Sequence, residues 1–193
     1  GAMLLAAGMN KRHLFLLVVI AIIGAYLSWI FGLQQYQKER ILAFLDPYRD
    51  PTGIGYNTIQ SQIAIGSGGF FGVGLGNGSQ TTLGFLPEAH TDFAFAALAE
   101  QFGLAGVLVV VGLVFFVLLR IVRIGEQATN NFGKLFAIGI AVLIFAHTFI
   151  SAAVNIGILP ITGIPFSFLS YGGSHLVSLM IGIGTLQSIK RHG

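Results

Sequence analysis

Apolar residues in this chain fall in long unbroken runs rather than at every second position or in one stripe of a helix. Residues 14–33 carry no charge over twenty positions, and residues 101–119 form a second such run. At about 1.5 Å per residue each covers most or all of a hydrocarbon core roughly 30 Å thick. From 135 to 189 there is no Asp, Glu, Lys or Arg, a stretch too long for one crossing. Its middle, residues 157–165, holds Pro160 and Pro165 and is poor helix. Splitting it there gives spans at 135–156 and 169–189. The pattern predicts an all-α, polytopic membrane protein with four transmembrane helices and one large loop, residues 34–100.

That loop is far longer than a mere connection. Residues 34–45 prolong the first span as helix until Asp46-Pro47 stops it. Residues 46–53 are turn chemistry, with Pro47, Pro51 and Gly53. Over 56–65, Tyr56, Ile59 and Ile63 recur at helical spacing among Asn57, Gln60, Ser61 and Gln62, which predicts a short amphipathic helix on the membrane surface. Residues 66–78 contain seven glycines, so the backbone there can approach a ligand or another helix closely. The run offers neither G-x-G-x-x-G nor a Walker lysine in register and follows no strand, which disfavours a nucleotide loop. It reads as a tight re-entrant or hairpin turn, although its amides could hold a pyrophosphate.

Composition agrees with the pattern. The chain is 54% hydrophobic and 9% charged, against about 25% charged in soluble domains. So few charges cannot cover a water-facing surface or build a basic nucleic-acid face, and with no cysteine there is no disulfide scaffold. Placement matters more than the net +3. Lys11, Arg12, Arg120, Arg123, Lys134, Lys190 and Arg191 all flank spans on one side. By the positive-inside rule that side is cytoplasmic. Residues 1–13, the loop 120–134 and the tail 190–193 are then inside, both termini are cytoplasmic, and 34–100 and 157–168 are outside. The outer loop carries Lys38, Arg40 and Arg49 against six acids. Tyr26 and Trp29 suit the outer interface. The first span has a basic start but no small-x-small site after it, so it reads as retained rather than as a cleaved signal.

Candidate chemistry concentrates before the second span. Glu88, His90 and Asp92 lie within five residues. If Pro87 opens a helix, Glu88 and Asp92 share one face at i,i+4. One reading is a plain helix cap. The other is a carboxylate at the membrane surface, tuned by a second acid and an imidazole to act as a general base. A metal site for Mg²⁺ or Mn²⁺ is a third, though three residues do not specify one. His147, Asn155 and His175 lie in the spans, where polar side chains most often bond a neighbouring helix. Ser167, Ser170, Tyr171 and Ser174 surround Gly172-Gly173 and either allow close packing or line a polar cavity.

Three segments carry a specific resemblance: residues 53–69 (GIGYNTIQSQIAIGSGG), 85–93 (FLPEAHTDF) and 159–174 (LPITGIPFSFLSYGGS). In this order they resemble the signatures of the SEDS family (shape, elongation, division and sporulation proteins), and the GYNTIQ form looks more like the elongation, RodA-type, branch than the division, FtsW-type, branch. The resemblance implies a peptidoglycan glycosyltransferase of the bacterial cytoplasmic membrane. Such an enzyme polymerises lipid II outside the cell, among membrane lipids, beside a class B penicillin-binding protein whose single helix would meet spans two and three. Family members have about ten spans, so this chain resembles their C-terminal part. The resemblance makes Asp92 the essential acid, with Glu88, His90 and Thr91 supporting it. Lys38, Arg40, Arg49, Gln62, Ser67, Ser170, Tyr171, Gly172 and Gly173 are candidates for holding substrate or its pyrophosphate. A lipid II flippase is the alternative; a transporter would place ionisable groups at mid-membrane, where these spans offer only His147 while the acids cluster outside, which favours surface chemistry. A fragment that only anchors a partner is a further alternative.

Overall fold

The computed structural model describes residues 11–28, 32, 34, 42, 44, 46–49, 51–53 and 55–192. Trp29, Lys38 and Arg40 lie outside the described residues, as does most of the helical extension expected over 34–45. The described elements are helical throughout. They comprise α1 (Lys11–Leu27), a 3-10 turn (Pro47–Arg49), α2 (Tyr56–Gly68), α3 (Ser79–Thr82), α4 (Ala94–Gln127), α5 (Asn131–Ile156) and α6 (Gly173–His192). Among the described residues, α4 and α5 are long and apolar enough to cross a membrane. Both continue as helix beyond their apolar runs, so Arg120, Arg123 and Lys134 are helical and only residues 128–130 connect the two. Asn130 starts α5 by accepting the Gly133 N–H at 2.6 Å, the usual service of an Asn N-cap.

The core lies between α4, α5 and α6. Phe95, Val114, Ile121 and Ile124 meet Ala137 and Ile144 of α5 and Leu179 and Leu186 of α6. Phe166, from the loop between α5 and α6, stacks on Phe95 at 5.9 Å and is fully buried. A second cluster joins Ala64 of α2 to Leu86, Ala89, Phe93 and Ala96. Outside these clusters the long helices expose Leu108, Val109, Leu113, Phe115 and Phe145. A water-soluble bundle would not leave such a surface bare.

α2 packs on the protein through small and hydroxyl residues. Its buried face is Thr58, Ser61, Ala64 and Gly68, while Ile63 is exposed. Small and hydroxyl residues let α2 lie close against α4 and α5, while Ile65 packs at the edge of both clusters and Ile63 is left outside. This is the arrangement of helices packed in lipid, where apolar burial gives no driving force between helices.

The glycine run is built into α4 rather than beside it. At Gly103 the helix breaks, with φ 66° and ψ −166°. An unbroken helix would pair the Leu104 and Ala105 N–H groups with the carbonyls of Glu100 and Gln101. Here Leu104 N–H donates to Gly69 O and Ala105 N–H to Phe70 O, both at 3.0 Å. The freed carbonyls accept from Val73 N–H at 3.0 Å and Gly74 N–H at 3.1 Å. The hairpin 69–74 is therefore inserted into the hydrogen-bond ladder of the helix. Only glycine fits the contact: a β-carbon on Gly72 would stand 2.1 Å from Gln101 O, and one on Gly103 2.3 Å from Gly72 N. Just beyond, the fully buried Glu100 accepts Gln80 N–H at 2.8 Å and Thr81 N–H at 3.0 Å, fastening α3 to α4.

Gly103→Ala should separate the hairpin from the helix. A destabilisation of about 2–4 kcal/mol is expected from the strain and lost bonds, read as a lowered unfolding midpoint in detergent. Gly112→Ala, with open space around it, should be neutral or stabilising by up to about 1 kcal/mol. Equal midpoints for the two variants would show that the inserted hairpin contributes nothing to stability.

Candidate functional site

The site is assembled from two loops that α4, α5 and α6 hold together. Glu88 to Phe93 is a compact turn and does not open a helix. Thr91 N–H and Phe93 N–H both donate to Glu88 O, at 3.1 and 3.2 Å. Glu88 takes a left-handed backbone, φ 52°. α4 begins only at Ala94. The i,i+4 face expected for Glu88 and Asp92 is therefore not formed, and neither acid caps the helix. The reason is local: the Glu88 carbonyl is shared by two later N–H groups and closes a tight loop before a helical turn can start. The Glu88 carboxylate is held by Thr91 Oγ1 at 2.8 Å.

What caps α4 is Asn155, from the end of α5. Its Oδ1 accepts Ala96 N–H at 2.9 Å, one of the first N–H groups of the helix and so without a partner inside it. Its Nδ2 donates to Asp92 O at 2.9 Å and to Ser151 O at 2.8 Å. The side chain is fully buried, and both N–H groups and the oxygen are engaged. α2 braces the same helix end: Ser61 Oγ donates to Asn155 O, and Gln62 Nε2 donates to Ile156 O at 3.1 Å. The sequence marks Asn155 only as a polar residue in a span; a partner 63 positions away on the main chain leaves no spacing signal.

Asp92 is half-buried, and its Oδ2 lies toward Gly163, where an added β-carbon would stand 3.7 Å away. Partial burial raises its pKa above the ordinary 3.8, and the nearby Glu88 charge adds to the rise. Both causes act in the direction that makes a carboxylate a better proton acceptor near neutrality.

The second loop, 158–172, comes back over this turn. Tyr171 N–H donates to His90 O at 2.8 Å, tying the two loops main chain to main chain. Ser170 Oγ accepts Phe166 N–H at 2.9 Å, and its N–H donates back to Phe166 O, closing a turn that delays α6 to Gly173. Between the loops lies a cleft of about 510 Å³, lined in part by His90, Gln101, Ser170, Tyr171, Gly172 and His175. Gly173 lines it as well, whereas Asp92 lies on the Gly163 side of the turn.

Other candidates fall elsewhere. Gln62 is spent on the end of α5, and Ser67 Oγ donates to Ala64 O at 2.8 Å within its own helix. Arg49 ends the 3-10 turn. No three His, Asp or Glu side chains among the described residues come together as a metal site, so the Mg²⁺ or Mn²⁺ expectation finds no donor set in them. In the helices His147 and His175 stack at 4.9 Å, with His147 Nδ1 and His175 Nε2 buried and unpaired.

Comparison with known proteins places this architecture. The model of the FtsW/RodA/SpoVE cell cycle protein family matches residues 1–193. The peptidoglycan glycosyltransferase MrdB of Escherichia coli (strain K12) is 42% identical over 189 residues, 98% of this chain and 51% of that protein. A probable peptidoglycan glycosyltransferase FtsW of Geobacter sp. (strain M18) is 41% identical over 188 residues, 97% of this chain and 50% of that one. Thus the chain spans about half the length of the curated relatives it matches. A chain from a solved structure reported as "Structural coordination of polymerization and crosslinking by a peptidoglycan synthase complex" superposes with a TM-score of 0.79 at 30% identity. That match covers 98% of this chain and 52% of the other. By its three motifs, its helical architecture and the match along its whole length, the chain belongs to the FtsW/RodA/SpoVE cell cycle protein family.

Proposed function

We propose that this chain is the C-terminal part of a membrane peptidoglycan glycosyltransferase that polymerises lipid II during cell-wall elongation, with Asp92 as its general base. One observation carries the reading. Asp92 is half-buried, beside a second acid, on a turn that several main-chain bonds and Asn155 hold in place. The names of the relatives supply the reaction class. The adjoining cleft is within the size range of ligand pockets.

In the proposed reaction the 4-hydroxyl of the acceptor sugar gives its proton to Asp92 as its oxygen bonds to the anomeric carbon of the donor. The bond from that carbon to the pyrophosphate breaks, and polyprenyl pyrophosphate leaves with the negative charge. Glu88 keeps the base strong by charge, and Thr91 holds Glu88 in place. The Ser170 and Tyr171 hydroxyls and the Gly172 and Gly173 main chain form a wall for sugar or phosphate. Lys38, Arg40 and Arg49 are the outer cations available to steady the leaving group. The reading puts the large loop outside the bacterial cytoplasmic membrane, both termini inside, and four spans in the bilayer. It also gives the complete protein a class B penicillin-binding protein as partner, matching a neighbour solved as a synthase complex.

In the complete protein, Asp92→Asn should lower lipid II polymerisation by about 10²–10⁴-fold or more. It should not lower stability. A carboxyl whose pKa is raised on folding holds its proton more tightly folded than unfolded. Its contribution to stability therefore falls as pH rises from the ordinary 3.8 through the raised value. At neutral pH the charge is a cost, and the Asn variant should unfold at the same or a higher temperature. Retained polymerisation in that variant would refute Asp92 as the base.

The same shift fixes a pH profile. Polymerisation should fall as pH drops through a midpoint raised above the ordinary 3.8. Glu88→Gln keeps an acceptor for Thr91 Oγ1 but removes the charge, so the acid limb should move to lower pH. Turnover against pH with purified full-length protein reads this directly, and an unmoved limb would mean that Glu88 does not tune Asp92.

A further inference from the structure

We infer that Asn155 is a positioning residue for the reaction: through its amide bond to the main chain of Asp92 it sets where the Asp92 carboxylate stands. The inference rests on Asp92 being the base, and it concerns a residue 63 positions away on another helix.

The geometry separates this role from ordinary helix packing. A buried Asn needs partners for its oxygen and both N–H groups in any case, so the role of Asn155 lies in which atoms it bonds. Asn155 makes three bonds, and each has a different mechanical effect. The bond to Ser151 O, one turn back on α5, fixes the rotamer. The bond from Ala96 N–H fixes the start of α4. The bond to Asp92 O fixes the last part of the turn before that start. Asp92 O and Ala96 N–H are four residues apart, the spacing of a helical bond, and the amide of Asn155 stands between them as donor to one and acceptor from the other. It thereby bridges the end of the turn to the first turn of α4. Without it the turn would still be held by Thr91 N–H and Phe93 N–H on Glu88 O and by the Tyr171 bond at His90, but the Asp92 carbonyl would lose its bond to Asn155 and the Ala96 N–H its cap.

The same residue also sets the other side of the site. α5 ends at Ile156, and Gly157 (φ 86°) starts the loop that carries Gly163 and Tyr171. Ser61 and Gln62 bond the carbonyls of Asn155 and Ile156, so this helix end is braced on its main chain as well as its side chain. Asn155 thus joins the element that carries the carboxylate to the element whose Gly163 the carboxylate faces. A misplacement of about 1 Å at a reacting group costs on the order of 10²-fold in rate, so release of this joint should act on turnover and leave substrate capture at the cleft largely intact.

The test uses the full-length protein with its partner synthase, turning over lipid II, with Asp92→Asn run in parallel. Asn155→Ala should lower kcat by about 10–100-fold and leave KM within about threefold, a bound set by the same separation of rate from capture. Its acid limb should move to lower pH, because a looser turn lets water reach Asp92 and weakens the burial that raises its pKa. A residue with only a structural role would lower the yield and the unfolding midpoint but leave kcat per folded molecule and the acid limb unchanged, and that outcome overturns the inference. Should Asn155→Ala fail to fold, Asn155→Asp decides. Its oxygen still accepts Ala96 N–H, but it lacks the amide donor to Asp92 O. The expected result is again lowered kcat with KM held; parental kcat overturns the inference. If Asp92→Asn remains active, the reading of Asp92 as base fails instead, whatever the Asn155 variants do.

Discussion

A backbone group in hydrocarbon must find its partner within the protein, because no water is there to supply one. This constraint governs the structure around Gly103. α4 gives up two of its own ladder bonds, and the glycine hairpin returns four, two to the freed carbonyls and two to the freed N–H groups. The break is therefore not a defect in a spanning helix. It is a joint at which another piece of chain enters the helix with no polar group of the exchange left over. The buried Glu100 is part of the same joint, since its carboxylate takes up N–H groups in the first turn of α3. With α2, the hairpin and α3 fixed to the first turns of α4, the turn that carries Asp92 has a rigid base to stand on.

The inner surface follows the same logic. The faces that meet are polar or small: Thr58, Ser61, Ala64 and Gly68 on α2, Ser151 and Asn155 on α5. Apolar side chains fill the layer between α4, α5 and α6, and many others remain on the outside. Directional bonds thus specify how the elements at the end that carries the two loops are arranged, while dispersion contacts fill the middle of the bundle. An acid kept half out of water, with its charge repelled by a neighbour, is tolerable only on such a fixed frame. The frame bears a local cost that a loose loop would relieve by letting the side chain swing outward.

Much of this was legible in the chain. Uncharged runs mark α4 and α5 because the part of a helix suited to hydrocarbon excludes charge, which returns toward their ends. Seven glycines mark a close approach, and the approach is there, at Gly72 against Gln101 O. The segment FLPEAHTDF marks the acid. The illegible parts share one cause, partners distant in sequence. Nothing near Gly103 says that its helix will be opened by residues some thirty positions upstream, and nothing near Asn155 names Ala96 or Asp92. The spacing of Ile59 and Ile63 gave the helix, but the close-packed face of Thr58, Ser61, Ala64 and Gly68 has partners distant in sequence. In lipid the close-packed face is the one without bulk. The helix expected from Pro87 failed because two N–H groups compete for the Glu88 carbonyl, an outcome that propensity does not encode.

The bond from Tyr171 N–H to His90 O joins the two loops through main-chain atoms alone. Neither the imidazole nor the phenol takes part, and both side chains border the cleft, Tyr171 being 81% exposed. Any residue except proline at position 171, and any residue at all at position 90, can supply the same pair of atoms. The connection that closes the site is thus indifferent to the identities of the residues that face its contents. A substitution at either position would change the surface the cleft presents without reopening the joint, so the lining and the architecture are separable.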